Sequence, residues 1–296
     1  MKFLITGSSG FVGKNLLSFL SNNYGQCSFD EYIRGSDINS FLDNDVVVHL
    51  AGKAHDIVDS VNSADYYRDN TELTKTVFDA FLKSDIKVFI TLSSVKAVAD
   101  KVEGVLTEEF NPNPSTHYGK SKLLAEQYIL SKELPRGKRF YILRPCMIHG
   151  PGNKGNLNLL YQVASIGCPW PLGVYSNQRS YCSVNNLMFV IKELIDNENI
   201  PSGIYNVSDD EPLSTNEVIS IIGKQLNKRI RIWNVPKKII VFLAKLCDVF
   251  NFALTTERLH KITDSYIVSN KKIQGYMSNP FPVTAREGLF DTFETF

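Results

Sequence analysis

The chain has 296 residues, of which 43% are hydrophobic and 21% are charged. These proportions exclude an intrinsically disordered protein and suit one large domain or a large domain with a smaller one. The 32 basic and 31 acidic residues leave a formal net charge of +1. No overall field would therefore draw the chain to nucleic acid or to an anionic membrane.

The cysteines and the apolar segments indicate a cytoplasmic protein. The five cysteines are widely spaced and include no CxxC pair, which favours free thiols over disulfides or a zinc site. The spacing of the histidines suggests no metal site either. The first apolar run stops at Gly7, too early for a signal peptide. The apolar segment near 239–244 is far shorter than the roughly 20 residues of a membrane span, so we expect an amphipathic helix packed on the core and no membrane insertion.

The first half of the chain alternates short apolar runs with longer segments of helical periodicity. The runs predict strands at Lys2–Thr6, 46–50, Val88–Leu92 and 139–143, and the periodic segments predict helices at 11–21, 71–83 and 115–132. The strands are almost entirely apolar, which is typical of a parallel sheet that helices cover on both faces. The repeated strand–helix order predicts a doubly wound, Rossmann-type α/β domain.

The composition changes after Pro145. Residues 145–180 are rich in Gly, Pro and Asn, which predicts loops. A strand is predicted at Gly203–Val207, and helices from Ser214 or Thr215 to about 226, at 236–250 and at 284–295. We therefore expect the Rossmann-type domain at 1–148, with returning segments near 180–207, and a smaller, mostly helical C-terminal lobe at 149–296.

A glycine-rich turn, TGSSGFVG at residues 6–13, follows the first strand and opens the first helix. In this context Gly7 permits a tight turn, Gly10 lets the backbone approach a diphosphate, and Gly13 lets the helix pack close to the strand. The free N–H groups and positive dipole at the helix start favour phosphate. The turn predicts a dinucleotide site, to which the residues between the glycines also contribute: Ser9, Phe11 and Val12.

The segment CSFDEYIRGSDI at 27–38 should distinguish NAD from NADP. If its strand ends near Ile33, Arg34 faces the adenosine ribose. An arginine there suits a 2′-phosphate, whereas an acidic side chain would bond the 2′-hydroxyl. We slightly favour NADP(H) over NAD(H) on this basis, and we expect further cofactor contacts from Asp37, which could meet the adenine amino group, and from Ile38.

The motif YGKSK places Tyr118 and Lys122 four residues apart, on one face of a predicted helix. A neighbouring ammonium lowers the pKa of a phenol, ordinarily about 10, so that the pair can exchange a proton with a substrate hydroxyl. The preceding strand ends in ITLSSVKA, which places Ser93 and Ser94 at the carboxyl edge where open α/β sheets bind ligands. Lys96, in the same motif, is interpreted as a solvated bystander.

These motifs, with HLAG at 49–52 and RPCMIHGPG at 144–152, resemble the extended short-chain dehydrogenase/reductase superfamily over nearly the whole chain. The resemblance implies a catalytic set of Ser94, Tyr118 and Lys122. It also implies cofactor contacts from the HLAG segment, from Asn70 and from the backbone after Arg144. Together with the end of the strand before Ser94 and the helix that carries Tyr118, the implied cofactor contacts are Leu50, Ala51, Gly52, Asn70, Ser93, Tyr118, Lys122, Pro145 and Ile148.

Within that superfamily, the motifs at 150–160, 171–187 and 205–215 look most like bacterial UDP-sugar 4-ketoreductases of the UDP-N-acetylquinovosamine type. This implies substrate contacts from Asn156, Arg179 and Arg258 besides Ser94, and a homodimer formed by the helix of Tyr118 and the helix near 71–83. We expect an NAD(P)-dependent oxidoreductase that acts at C4 of a UDP-activated sugar. Its expected reaction is the reduction of a UDP-4-keto-6-deoxy-N-acetylhexosamine in surface polysaccharide biosynthesis.

Two alternatives remain open. A UDP-glucose or UDP-N-acetylglucosamine 4-epimerase would use the same residues. Such epimerases usually carry a tyrosine–glycine pair where this chain has Val98 and Ala99, and an asparagine where it has Met147. A non-catalytic dinucleotide-sensing protein could have the same fold but would not need the tyrosine–lysine pair.

Overall fold

The computed structural model describes residues 1–32, 43–54, 62–153, 156–250 and 255–296. The strands are β1 (Lys2–Thr6), β2 (Ser28–Tyr32), β3 (Val46–His49), β4 (Val88–Leu92), β5 (Val105–Leu106), β6 (Arg139–Pro145), β7 (Met147–His149), β8 (Tyr181–Ser183), β9 (Gly203–Val207) and β10 (Ile267–Val268). The helices are α1 (Phe11–Asn23), α2 (Ser63–Tyr66), α3 (Leu73–Lys83), α4 (His117–Leu130), α5 (Asn156–Ser165), α6 (Val184–Asp196), α7 (Thr215–Gln225), α8 (Lys237–Phe250), α9 (Thr256–Thr263), α10 (Lys271–Gln274) and α11 (Ala285–Glu294).

Six of the described strands form one parallel sheet in the order β2–β1–β3–β4–β6–β9. Successive side chains of a strand point to opposite faces, so each strand feeds two cores. Phe3 and Ile5 of β1 pack with the apolar sides of α1 and α6, whereas Leu4 packs with α3 and with Ile129 of α4. Helices therefore cover both faces of the sheet, which confirms the predicted doubly wound, Rossmann-type α/β fold.

The C-terminal lobe has its own hydrophobic cluster, built by α5, α7, α8 and α11. Helix α7 begins in a capping box, in which Ser214 Oγ accepts a hydrogen bond from Glu217 N and the Glu217 carboxylate accepts one from Ser214 N. Such a reciprocal pair satisfies two backbone donors that the first turn of a helix leaves open. The helix start predicted from Ser214 is therefore confirmed.

A buried histidine joins this lobe to the sheet. The ring of His149, which ends β7, hydrogen-bonds Thr292 of α11 across 2.9 Å and Asp209 across 3.3 Å. Asp209 also accepts hydrogen bonds from Ser183 N and from Asn186 Nδ2. Hydrogen bonds to Asp209, made directly or through His149, thus connect β7, α6 and α11. We call this set of bonds the His149–Asp209 network.

Three stretches differ from the sequence-based expectation. Residues 145–180 were expected to be loops, yet they include β7 and α5, because Leu157 and Ala164 supply a helical apolar stripe within a Gly- and Asn-rich stretch. Helix α6 was not predicted. The helix expected at 71–83 is preceded by α2 and by a π-helical turn, Tyr67–Glu72, that leads directly into α3.

An ion pair buried between α4 and β6 fixes these two elements to each other. Arg144 Nε lies 2.9 Å from Glu126 Oε1, and Arg144 Nη2 lies 2.5 Å from Glu126 Oε2. Both side chains are only 2% exposed. The planar fork of arginine matches the two carboxylate oxygens, and neither charge can turn to water if its partner is removed.

We expect Glu126→Gln to lower the free energy of unfolding by about 3–5 kcal/mol, because the guanidinium of Arg144 would stay buried without its counter-charge. Urea denaturation followed by circular dichroism measures the change. The double variant Arg144→Met/Glu126→Leu removes both charges and should recover much of the loss. A Glu126→Gln protein as stable as the parent would contradict this account of the pair.

Candidate active site

The glycine turn has the backbone geometry of a dinucleotide-binding turn. Gly7 has φ +75°, and a Cβ at this position would lie 2.7 Å from Ala51 N. A Cβ on Gly13 would lie 2.4 Å from Gly7 O, so the close approach of α1 to the turn requires glycine. Gly10 caps α1 without a side-chain hydrogen bond, and the fully described first turn of α1 holds no acidic residue. The free N–H groups of this helix start fit a diphosphate.

An acidic side chain lies beside this turn, at the carboxyl end of β2. Glu31 is paired with Ile5 of β1, and its carboxylate accepts a hydrogen bond from Ser8 Oγ at 2.7 Å. An acidic residue at the end of the second strand is the type that binds a ribose 2′-hydroxyl. The sequence-predicted contacts beyond this strand, Arg34, Asp37 and Ile38, lie outside the described residues.

The side-chain amide of Asn70 clamps the HLAG segment to helix α4. Asn70 lies in the π-helical turn and is fully buried. Its Oδ1 accepts from Lys53 N at 2.8 Å, and its Nδ2 donates to Lys53 O at 3.1 Å and to Ser121 Oγ at 3.0 Å. A Cβ on Gly52 would lie 2.6 Å from Asn70 Oδ1 and 3.2 Å from Lys122 Nζ. The structure thus gives Asn70 a positioning role, and Gly52 is the residue that admits both neighbours.

The end of β4 and the start of α4 bring together the three residues of the expected catalytic set. Tyr118 and Lys122 lie one turn apart on α4, whose first turn Thr116 caps. The side chain of Ser94 hydrogen-bonds Tyr118. Lys122 Nζ donates to the carbonyl oxygen of Leu92, the last residue of β4, at 2.9 Å. A phenol, a hydroxyl and an amine therefore meet at the carboxyl edge of the sheet.

The electrostatics of this set differ from the sequence-based expectation. Burial raises the pKa of Tyr118 above its ordinary value, and the hydrogen bond from Ser94 opposes that shift. Burial also lowers the pKa of Lys122, to about 8. The net shift of the Tyr118 pKa is thus opposite in direction to the shift expected from a neighbouring ammonium, because desolvation is the larger effect on the phenol and the amine of Lys122 bonds a backbone carbonyl.

Ser93 adds an unpaired hydroxyl to the same edge. Its backbone N–H donates to Leu143 O at 2.7 Å, which continues the pairing of β4 with β6. Its Oγ is buried and has no hydrogen-bond partner among the described residues. Because buried polar groups are ordinarily hydrogen-bonded, this hydroxyl fits a polar group of a bound ligand.

A cluster of positive charge lies behind the serines, and the sequence analysis missed its extent. Lys96 Nζ donates to Asp100 O at 2.9 Å and sits 4.5 Å from the centre of the Tyr266 ring. Burial lowers the pKa of Lys96, the charge of Asp100 opposes that shift, and the charges of Arg179 and Lys261 add to it. Lys96 is therefore not a solvated bystander, because its side chain is partly buried and contacts Asp100 and Tyr266. Its place three residues after Ser93 was the only sequence signal for this role.

The remaining predicted contacts are more widely distributed. The backbone N–H of Arg179 donates to Leu213 O, and Arg179 O accepts a hydrogen bond from Leu213 N. The side chain of Arg179 donates from Nη1 to Lys261 O. Arg258 is exposed in the first turn of α9. Asn156 begins α5, and its side chain lies outside the described residues. The other predicted cofactor contacts lie in or directly after strands. Leu50 and Ala51 follow β3, Pro145 is the last residue of β6, and Ile148 lies within β7.

Within the described ranges, no three metal-ligating side chains come together, and no helix is long and apolar enough to cross a membrane. The groups that the described residues bring together at the site are backbone N–H groups, hydroxyls, the phenol of Tyr118, the buried amine of Lys122 and the cationic side chains near Lys96. Such groups bind phosphates and move protons.

Comparison with known proteins identifies the family. The chain is 30% identical to a UDP-glucose 4-epimerase of Vibrio cholerae, over 99% of this chain and 94% of that protein. It is 28% identical to the N-acetyl-alpha-D-glucosaminyl-diphospho-ditrans,octacis-undecaprenol 4-epimerase of Escherichia coli O157:H7, over 98% and 94% of the two chains. The structure of MoeE5 in complex with UDP-glucose and NAD has the same fold, with a TM-score of 0.77 at 19% identity over 99% and 98% of the two chains.

Residues 3–208 match the NAD dependent epimerase/dehydratase family, in agreement with the resemblance drawn from the motifs. That match covers well over half of the chain. It includes the glycine turn, the end of β4 with Ser93 and Ser94, the YGKSK helix and the segment that contains Arg179. The protein is an enzyme and belongs to the NAD dependent epimerase/dehydratase family.

Proposed function

We propose that the enzyme transfers a hydride at C4 of a UDP-linked sugar, with Tyr118 as the residue that exchanges the proton. The observation that carries this proposal is the meeting of Ser94, Tyr118 and Lys122 at the carboxyl edge of the sheet, beside the glycine turn. Two relatives whose names specify a 4-epimerase support C4 as the reacting position.

Each side chain has a definite part in this reaction. A bound nicotinamide would accept or supply the hydride. The raised pKa of Tyr118 keeps its phenol protonated at neutral pH, so that it can donate a proton to an oxygen on C4. Ser94 holds the phenol by a hydrogen bond. Lys122, with a pKa of about 8, is largely charged at neutral pH and stabilises negative charge that develops one turn away.

The cationic cluster supports an anionic substrate. Lys96, Arg179 and Lys261 lie close enough for the latter two to lower the pKa of the first. Arginine and lysine are the side chains that bind diphosphates, arginine through its fork of donors. We propose that these residues face the diphosphate of the sugar nucleotide and that the C-terminal lobe holds the nucleotide, with Asn156 and Arg258 as further contacts.

We propose NAD(H) as the cofactor, in contrast to the slight preference for NADP(H) drawn from Arg34. Within the described residues the side chain beside the glycine turn is Glu31, held there by Ser8. A carboxylate accepts hydrogen bonds from a ribose 2′-hydroxyl and repels a 2′-phosphate. The family description, which specifies NAD, supports the same choice.

The direction of the reaction has two candidates. The relatives named as 4-epimerases favour epimerisation. The buried apolar Val98 and Ala99 favour the reduction of a UDP-4-keto-6-deoxy-N-acetylhexosamine, because 4-epimerases usually carry a tyrosine–glycine pair there. Mass spectrometry of cofactor released on denaturation, with assays on both substrate types, separates them. Retained NAD with turnover of UDP-glucose or UDP-N-acetylglucosamine means epimerisation, and stoichiometric use of added NADH with a 4-keto sugar means reduction.

A homodimer through α3 and α4 belongs to the same proposal. Leu124 is exposed on α4, close to the turn that carries Lys122. An apolar side chain on the outside of the catalytic helix supports pairing of that helix with a second copy. Sedimentation velocity of the purified enzyme tests it.

We expect Tyr118→Phe to lower kcat by about 10²–10⁴-fold while cofactor binding is kept, because the variant loses only the proton-exchanging hydroxyl. Tyr128→Phe is the matched control, since Tyr128 lies on the same helix but bonds Asp79 away from the serine edge. Steady-state assays and cofactor titration by fluorescence measure both effects. Near-normal turnover in Tyr118→Phe would show that another group moves the proton.

We expect Glu31→Ala to weaken NADH binding by about tenfold or more and to improve NADPH binding, because the variant loses a charged hydrogen-bond acceptor and its repulsion of a phosphate. The neighbouring Asp30→Ala serves as the control, since Asp30 accepts a hydrogen bond from Asn44 Nδ2. Fluorescence titration of the cofactor-free protein gives both dissociation constants. An unchanged ratio of the two constants would exclude Glu31 as the discriminating residue.

A further inference from the structure

Helix α8 is apolar on two faces. Ile240 and Ala244, four residues apart, are buried in the cluster of the C-terminal lobe. Ile239, Phe242 and Leu243 point outward, and Phe242 is 61% exposed. The sequence analysis expected an amphipathic helix packed on the core, with its polar side in water. Instead, the described residues leave a stripe of large apolar side chains of α8 uncovered.

Other exposed apolar side chains of the same lobe lie outside α8. Val163 and Ile166, at the end of α5, are exposed, and Ile166 is 75% exposed. Lys228 Nζ donates to Ser165 O, which places the segment before α8 beside this end of α5. In that segment Trp233 is also exposed, and its backbone pairs with Trp170, close to α5. We call the exposed apolar residues of α8 and of the segment that leads into it the apolar platform: Ile232, Trp233, Ile239, Val241, Phe242, Leu243 and Leu246.

The chain that builds this platform is strongly basic. Residues 218–247 contain seven basic side chains and no acidic one, although the whole protein has a net charge of only +1. The basic residues are Lys224, Lys228, Arg229, Arg231, Lys237, Lys238 and Lys245. Positive charge is therefore concentrated in the part of the sequence that leads into α8 and forms most of it, up to Asp248 near its end, although the charges of the whole chain nearly balance.

We propose that the apolar platform docks on the surface of an anionic lipid bilayer. A helix with exposed bulky apolar residues and flanking lysines lies in the plane of a bilayer, with its apolar side in the headgroup region. Lysine stems reach along the apolar surface while their amines bind anionic headgroups, and tryptophan favours that interface. The docking is peripheral, in accordance with the finding that no described helix is long and apolar enough to span a membrane.

Charge complementarity selects the bilayer over a second copy of the chain. A two-fold contact through this platform would place the same basic residues of both copies next to each other, and like charges repel. An anionic membrane surface would instead attract the lysines that flank the platform. The proposal is independent of the reaction proposed above, because no residue of the platform belongs to the site around Tyr118.

Flotation of the full-length enzyme with lipid vesicles tests the proposal. We expect the enzyme to float with phosphatidylcholine vesicles that contain about one third phosphatidylglycerol, and not with pure phosphatidylcholine vesicles. Phe242→Ser/Leu243→Ser should reduce the bound fraction by about tenfold or more, because each substitution withdraws apolar surface from the headgroup region. Val105→Ser is the matched control, since Val105, on β5, and Leu243 are each 50% exposed. It should float like the parent.

Two further measurements keep the outcomes distinct. Lys237→Glu/Lys238→Glu should abolish the preference for anionic vesicles, whereas Lys271→Glu/Lys272→Glu, on α10, should not. Sedimentation velocity shows whether the platform variants change the oligomeric state. Failure of the parent enzyme to float, or flotation that the platform variants leave unchanged, overturns the proposal, as does a dimer that only these variants dissociate. Turnover of soluble sugar nucleotides should remain normal in these variants, so a failed reaction proposal would be recognised separately.

Discussion

The site depends on one buried amide. Asn70 uses its carbonyl oxygen and both N–H groups to bond the backbone of Lys53 and the hydroxyl of Ser121. These bonds hold the turn after β3 against the helix that carries Tyr118 and Lys122, and they do so in the π-helical turn that leads into α3. A π-helical turn is an uncommon geometry that is frequent at functional sites. Here it brings a side chain from one layer of helices to the edge of the sheet.

Burial shifts the pKa values of the titratable groups near Asn70. Desolvation disfavours whichever form is charged, so it raises the pKa of the Tyr118 phenol and lowers that of the Lys122 amine. The same burial, with the charge of Lys122, lowers the pKa of His49 to about 3. The ring of His49 is therefore neutral and bonds Thr6 and Thr74. His49 therefore adds no charge to the surroundings of the phenol at neutral pH, whereas Lys122, with a pKa of about 8, titrates close to that range.

Local signals were enough to predict the parts of the fold that depend on local chemistry. The apolar strands, the glycine turn and the cap at Ser214 are each encoded by a few adjacent residues. The spacing of Tyr118 and Lys122 likewise placed them on one helical face. The raised pKa of Tyr118 and the burial of Lys96 could not be predicted in the same way, because they depend on segments that are distant in sequence. Helix α6 was missed although its apolar spacing was present, since it directly follows a stretch that resembles loops.

The His149–Asp209 network constrains how this enzyme can open and close. Its ring and carboxylate are buried, and they join the strand after β6, the helix α6 and the last long helix to one another. A hinge between sheet and lobe would have to break these bonds and expose their polar atoms to an apolar interior, which is costly. The sheet and the C-terminal lobe are therefore coupled by buried polar contacts, and a rotation of one against the other requires that these contacts break.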